Sequence, residues 1–460
     1  MIQDKGAFFM LTASLVGYAA SEIHNYCRYD RTRWVSPVVL ASVILFVLPF
    51  GLTNILYVLP MSGSRLLHGG SVGFDYLGRA QALAVVGVAA MWIGYRSGIG
   101  PQLAATFRSS RLLDRATRTS FVPYMPVLLA GMAVSVLSRL ALVRMGLFGY
   151  STEADQVLAT AGVAQWVRTG SGLGSLALAL TALAYYGTRR RHIGVVLSIW
   201  LVHEVAWGVL AAFKWSVLLP FVIVGLCRFM VERRVPRMYA LAAIAVIVPA
   251  YAVVEPLRYL RFADVQHDTR SVGAIADAAV GVARGTDERA ARFQQQVSLP
   301  ILVASRLHLT TFAAHALEFN DRGPLPPDSP PFLRNVLLSP FYAVVPRALL
   351  PSKASATTGV WFSTTVLGLS ARTSVGMSPV AYLYLAGGVV AVVLGFFVLG
   401  VLQRFSFDWL LRPRAGALLV YLVALAVTAN VDPSEFWAVF TSYIRYIPLA
   451  FVAQAMAFRR

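Results

Sequence analysis

Long apolar runs, about the length of a bilayer crossing, constrain this chain more than any other feature. A helix needs about 20 apolar residues to span the hydrocarbon core. Eleven runs qualify, at 7–24, 35–59, 80–95, 122–144, 171–187, 193–212, 215–230, 238–256, 379–402, 416–430 and 437–457. The pattern predicts an all-α polytopic membrane protein with about 11 transmembrane helices. Composition agrees: 57% of the 460 residues are hydrophobic and 13% charged, against about 25% charged in a soluble domain. The formal charge of +19 would point to nucleic acid in a soluble protein. Here the basic residues fall between apolar runs, where topology and anionic headgroups account for most of them, so no nucleic-acid partner is expected. Cys27 and Cys227 offer no disulfide framework and read as free thiols. The first run has its positive flank after it, the reverse of a cleavable signal peptide, and reads as a retained span.

Arginine clusters set the orientation. They occur at Arg28, Arg31 and Arg33; Arg96 to Arg118; Arg189 to Arg191; Arg228 to Arg237; Arg404 to Arg414; and Arg459 and Arg460. Eleven alternating crossings place all six inside, with the N-terminus out and the C-terminus in. The chain then divides into eight spans over 1–256, a large extracytoplasmic loop over 257–378, and three spans over 379–460. That loop carries twelve basic and eight acidic residues, and loops longer than about 60 residues escape the orientation rule. Its stretch 298–319 reads as an amphipathic helix. The proline-interrupted stretch 330–353 reads as short helical pieces on the membrane surface.

No P-loop, HExxH or CxxC motif is present. The candidates for chemistry are ionisable groups at membrane depth or at the outer mouth of the spans. Lys214, one of three lysines in the chain, stands where the seventh span begins, beside free helix N–H groups that favour phosphate; a lysine snorkelling to headgroups is the competing reading. His203 and Glu204 lie within the sixth span, where an ionisable group needs a partner. For Glu204 an arginine on a neighbouring helix is expected, either Arg139 or Arg445. Arg168 and the following GSGLGS open the fifth span, as an anion-binding helix start or as small residues for close packing. Arg258 and Arg261 share a helix face as the eighth span leaves the membrane. Arg306 and His308 follow in SRLHLTTF. Converging arginines suit a lipid-linked pyrophosphate, and a histidine nearby suits removal of a hydroxyl proton; an ordinary helix histidine is the alternative for His308.

The hairpin FKWSVLLPFVIVGL, the arginines of EPLRYLRF, SRLHLTTF in a large loop, VPRALLPSKASATTGVWF and TSVGMSPVAYLYLAGGVVAVVLGFFVLG follow one another in an order that resembles Wzy-type polysaccharide polymerases, relatives of the O-antigen ligases. The likeness covers residues 200–400 in detail and the chain in outline. It departs at Ser378, Pro379 and Val380, where many members carry a glutamate. The resemblance implies a GT-C-like membrane glycosyltransferase of the bacterial inner membrane, acting at the periplasmic face. It would transfer a glycan from undecaprenyl pyrophosphate onto another lipid-linked repeat unit, using neither metal nor cofactor. Membrane lipids and a chain-length regulator are the other implied partners. Lys214, Arg258, Arg261 and Arg306, with Arg347 and Lys353 behind them, would hold the pyrophosphate; His308 would be the base for the acceptor hydroxyl and Glu204 a fallback orienting residue. The rival readings are a ligase joining glycan to lipid A core and, from a different class, a lipid-linked glycan transporter.

Overall fold

A computed structural model describes residues 2–57, 72–108, 122–148, 161–232, 237–263, 271–288, 308–345, 349–350, 358–369, 375–411, 418–432 and 435–458. Among these residues no β-strand occurs, and almost all lie in helices. In chain order they are α1 (Ile2–Cys27), α2 (Pro37–Ala41), α3 (Phe74–Arg96), α4 (Ile99–Arg108), α5 (Met125–Arg144), α6 (Ala161–Thr188), α7 (Arg191–Leu210) and α8 (Lys214–Glu232). They continue with α9 (Arg237–Ala263), α10 (Val272–Arg284), α11 (Thr310–Asp321), α12 (Phe332–Val344), α13 (Thr358–Trp361), α14 (Pro379–Ser406), α15 (Leu418–Ala429) and α16 (Ala438–Ala457).

Among the described residues, eight helices are long and apolar enough to cross a membrane. They coincide with the first seven runs and the ninth. The remaining three runs are helical but differ in kind: the apolar part of α9 is Leu241–Val254, α15 has 12 residues, and α16 carries Arg445 in its middle. Contacts divide the chain into two units, Met1–Arg115 with Pro300–Phe451, and Ala116–Leu299 with Val452–Arg460.

The first unit is built on the crossing of α3 and α14. Lipid is as apolar as leucine, so membrane helices associate through close backbone approach and polar contacts. Glycines provide the approach. A Cβ at Gly94 would strike the backbone of Phe397, and one at Gly400 would strike the carbonyl of Met91 and stand 2.8 Å from the nitrogen of Tyr95. The rings of Phe46 and Phe396 close over Gly87. Buried polar side chains add bonds across helices, as in Trp92 Nε1 to Ser42 Oγ (3.0 Å) and Gln403 Nε2 to the Thr428 carbonyl (2.9 Å). Within α14 the helix breaks at Gly387 and Gly388, the latter at φ 65°, a left-handed conformation that glycine adopts without steric cost.

The part of the large loop from Pro300 onward belongs to this unit and does not lie wholly on its surface. The stretch expected to be one amphipathic helix over 298–319 is helical from Thr310, and α11 buries Ala313, Ala314, Ala316 and Leu317 against α3 and α14. Small side chains allow that insertion. In α12, Phe332, Asn335, Ser339 and Tyr342 are buried while the apolar Leu333, Leu337, Phe341 and Val344 are exposed.

The second unit contains α5 to α10. Packing of α7 on α8 is close at Gly208, where a Cβ would stand 2.6 Å from the Ser216 carbonyl oxygen. The turn between them holds Ala212 at φ 55°, fully buried. Replacing Gly400 with Ala is expected to cost about 1–3 kcal/mol, the usual scale for forcing atoms into a packed site. Gly17 of α1 meets nothing within 4 Å, so Gly17→Ala should be neutral or slightly stabilising. Thermal unfolding of the two purified variants in detergent checks the pair; equal midpoints would show that the α3–α14 approach does not limit stability.

Candidate functional site

In the second unit, α7, α8 and α9 pack in alternating directions, so the α7–α8 turn and the C-terminal end of α9 lie at one end of the unit. A hydrophobic cluster fixes this directly: Ala212 of the turn packs with Leu257 of α9 and Ala279 of α10. Lys214 is the first residue of α8, and Arg258 and Arg261 lie three apart on the same continuous helix. These three backbone positions are therefore brought to one end. A second cluster joins Leu142 and Val143 of α5, Val167 of α6 and Ala211 at the end of α7. Its neighbours in the chain, Arg144 and Arg168, are exposed there. Arg144 carries no motif in the sequence; only packing assigns it to this end.

Below that end lies a buried ion pair. Arg139 Nη2 meets Glu204 Oε2 at 2.7 Å, with the two side chains 11% and 4% exposed. Arg139 is thus the partner, whereas Arg445 donates to the carbonyls of Tyr342 (2.7 Å) and Ala343 (3.0 Å) in the last turn of α12. His203 stacks on Trp200 at 4.3 Å between centroids and accepts a hydrogen bond from Trp207 Nε1 at 2.7 Å. An indole only donates, so Nε2 of His203 is unprotonated and its proton is on Nδ1. The sequence GSGLGS lies inside α6, which starts at Ala161, not at a helix N-terminus. Its amides are consequently engaged in the helix. Gly174 supplies space instead: a Cβ there would come within 2.5 Å of both Glu204 Oε1 and Ser135 Oγ and 2.9 Å of Arg139 Nη2.

His308, in the first unit, is 3% exposed and belongs to a network of neutral groups. Its Nε2 lies 3.2 Å from Asn54 Oδ1 and its Nδ1 lies 3.2 Å from Thr311 Oγ1. Asn54 Oδ1 only accepts, so Nε2 carries the proton and Nδ1 accepts from Thr311. Thr310 donates to the same Asn54 oxygen at 2.9 Å, Tyr57 bonds Thr311, and Asn54 Nδ2 reaches Thr12, Phe50 and Gln81. Arg306, Arg347 and Lys353 lie outside the described residues.

Glu435, which the sequence reading passed over, stands in the turn between α15 and α16. It is 4% exposed, accepts from the Thr358 backbone N–H at 3.1 Å, and also accepts from Trp437 Nε1. A carboxylate at the start of α13 and a guanidinium at the end of α12 each complement the local helix dipole. Burial pushes the Glu435 carboxyl up to about 7 against the hydrogen bonds from Thr358 and Trp437.

The fold and its buried charges define a multi-pass, all-α membrane protein. Comparison with protein-family models, with characterised proteins and with solved structures found no match.

Two outcomes follow from the buried charges. Arg139→Ala leaves a carboxylate buried without a cation and is expected to cost about 3–5 kcal/mol, most of it recovered when Glu204→Leu is added to Arg139→Met; chemical denaturation of the three variants measures the difference. Because the folded-state value for Glu435 lies above its ordinary value, the folded state holds the extra proton. Stability is full below the ordinary carboxylate range and declines as pH rises through 7. Wild type should lose about 1 kcal/mol between pH 6 and pH 8, and Glu435→Gln should flatten that dependence; parallel slopes in a pH series of unfolding midpoints would contradict it.

Proposed function

We propose that the protein is a polysaccharide polymerase that transfers a glycan from undecaprenyl pyrophosphate to another lipid-linked repeat unit at the periplasmic face of the bacterial inner membrane. In this reading the chain crosses the membrane eleven times, with its N-terminus out and its C-terminus in. The observation that carries the proposal is the packing of Ala212 on Leu257, which brings the positions of Lys214, Arg258 and Arg261 to one end of the second unit. Sequence separations of more than 40 residues are closed by that contact, as a diphosphate-binding set requires.

Transfer begins when the acceptor hydroxyl attacks the anomeric carbon of the donor sugar. The bond from that carbon to the pyrophosphate oxygen breaks, and its electron pair leaves on the pyrophosphate. Fixed cations in a half-dry site stabilise that developing charge more than water does. A base takes the hydroxyl proton. His308, the base that the resemblance implies, has its Nδ1 lone pair engaged by Thr311. Glu204 is in the unit that carries Lys214, Arg258 and Arg261 and has one oxygen, Oε2, held by Arg139.

Alanine at Lys214, Arg258 or Arg261 should each lower transfer by about 10²–10³-fold, the scale for losing one preorganised charge-stabilising group. Electrophoresis of the surface polysaccharide from cells carrying each variant provides the test. Collapse of the ladder to single attached repeats supports polymerisation; loss of all glycan attachment identifies a ligase instead, and an unchanged ladder removes these cations from the reaction.

A further inference from the structure

Helix α12 turns outward the side chains that a helix in water would hide. Leu333, Leu337, Phe341 and Val344 are between 49% and 73% exposed, and steps of four, four and three residues put them on one face. Apolar surface gathered in this way marks a contact. Arg334, in the first turn, is exposed as well, and from Asn335 to Val345 the sequence contains no charged residue.

The carbonyls of α12 are paired as they must be where water is absent. Pro340 has no N–H to give the Val336 carbonyl, and the Ser339 hydroxyl donates to it instead at 2.6 Å. Near the end of the helix the Phe341 carbonyl accepts from the Val345 N–H at 2.9 Å, and the Tyr342 and Ala343 carbonyls accept from Arg445. Thr441 Oγ1 donates to the Ser339 carbonyl at 2.9 Å. A helix end in water can leave such groups to the solvent; in hydrocarbon each needs a partner from the protein.

The depth follows from α16. Its 20 residues make a helix of about 30 Å, the thickness of the hydrocarbon core. Thr441 and Arg445 stand three and seven residues after Ala438, or about 4.5 and 10 Å along the axis. An arginine side chain can lean back toward the start of its helix, but that of Thr441 is short, so Ser339 lies beside α16 and not above it. Ile444 and Tyr446 on either side of Arg445, and Leu449 beyond, are exposed. Whatever surrounds α16 at this level therefore reaches the end of α12 too. Around a spanning helix that medium is lipid.

We propose that α12 is sunk into one leaflet of the bilayer, with Leu337, Phe341 and Val344 against the acyl chains and Arg334 at the headgroups. This takes the helix below the membrane surface, and it gives Arg445 a purpose: the guanidinium caps a helix end that water does not reach. The inference rests on α16 crossing the membrane, which belongs to the eleven-crossing reading, and is independent of glycan transfer.

Spin labels on Leu337→Cys, Phe341→Cys and Val344→Cys test it, one at a time, in the full chain in phospholipid vesicles. Cys27 and Cys227 are buried and stay unlabelled. Relaxation by oxygen, which concentrates in hydrocarbon, is compared with relaxation by a nickel chelate, which stays in water. Leu449→Cys on α16 is the lipid reference, and Asp328→Cys, at an exposed position, is the water reference. All three α12 labels should prefer oxygen as Leu449→Cys does. A preference for the chelate, as at Asp328→Cys, overturns the inference; so does shielding from both reagents, which means that a protein surface, such as a second copy, covers the face. If Leu449→Cys itself meets the chelate while the α12 labels prefer oxygen, the crossing by α16 falls and the burial of α12 in lipid stands. Arg445→Ala should abolish the oxygen preference of the Val344→Cys label and Arg445→Lys should restore it; a label unmoved by Arg445→Ala overturns the capping role. The labels in the chain that keeps Arg445 decide the position of α12 even where Arg445→Ala does not fold.

Discussion

Helices that share a hydrocarbon solvent gain nothing by hiding apolar surface from it, so what holds them together must be contact at short range or polar pairing. Each unit shows one of these dominating. In the first, Gly94 and Gly400 let the backbones of α3 and α14 approach until a single methyl group would not fit. In the second, a carboxylate on α7 and a guanidinium on α5 neutralise each other across the unit, and Gly174 on α6 leaves them the space to do so. A glycine near a buried charge thus has a different purpose from a glycine between two backbones, although both look alike in the chain.

The large loop follows the same economy of polar groups. Its helix α12 ends against Arg445, which donates to the last carbonyls, and α13 begins against Glu435, which accepts from its first N–H. Helix termini leave these groups unpaired, and a loop folded onto membrane helices has less water to satisfy them. Two side chains from α16 and the turn before it supply the missing partners. Arg445 therefore serves the loop and not Glu204, and the identity of each partner follows from which elements are adjacent.

Much of the architecture was legible in the chain. Apolar length alone located the eight long apolar helices, because bilayer thickness imposes a minimum on any spanning helix. Lys214 at the start of α8 and Arg258 with Arg261 on one helix were also readable, since helix starts and three-residue spacing are local properties. What escaped was partnership. GSGLGS was expected at a helix start because the apolar count began there, but α6 extends ten residues further toward its N-terminus and turns the motif into a cradle. The helix around His308 was expected over 298–319 on periodicity, yet α11 starts at Thr310, and His308 precedes it in a network that draws Asn54 from more than 200 residues away. Glu435 was passed over altogether; its burial depends on Thr358 and Trp437 closing over it.

The sequence by itself determined that this chain lives in a membrane, that it is helical, and roughly where each long span lies. These follow from runs of side chains along one segment, and a bilayer reads them one segment at a time. Tertiary structure decided which arginine neutralises Glu204, which nitrogen of His203 holds its proton, and which cations share an end of the second unit. Those outcomes depend on distances between segments far apart in the chain, and the energy of a charge or a hydrogen bond in a low-dielectric interior changes steeply over a few ångströms.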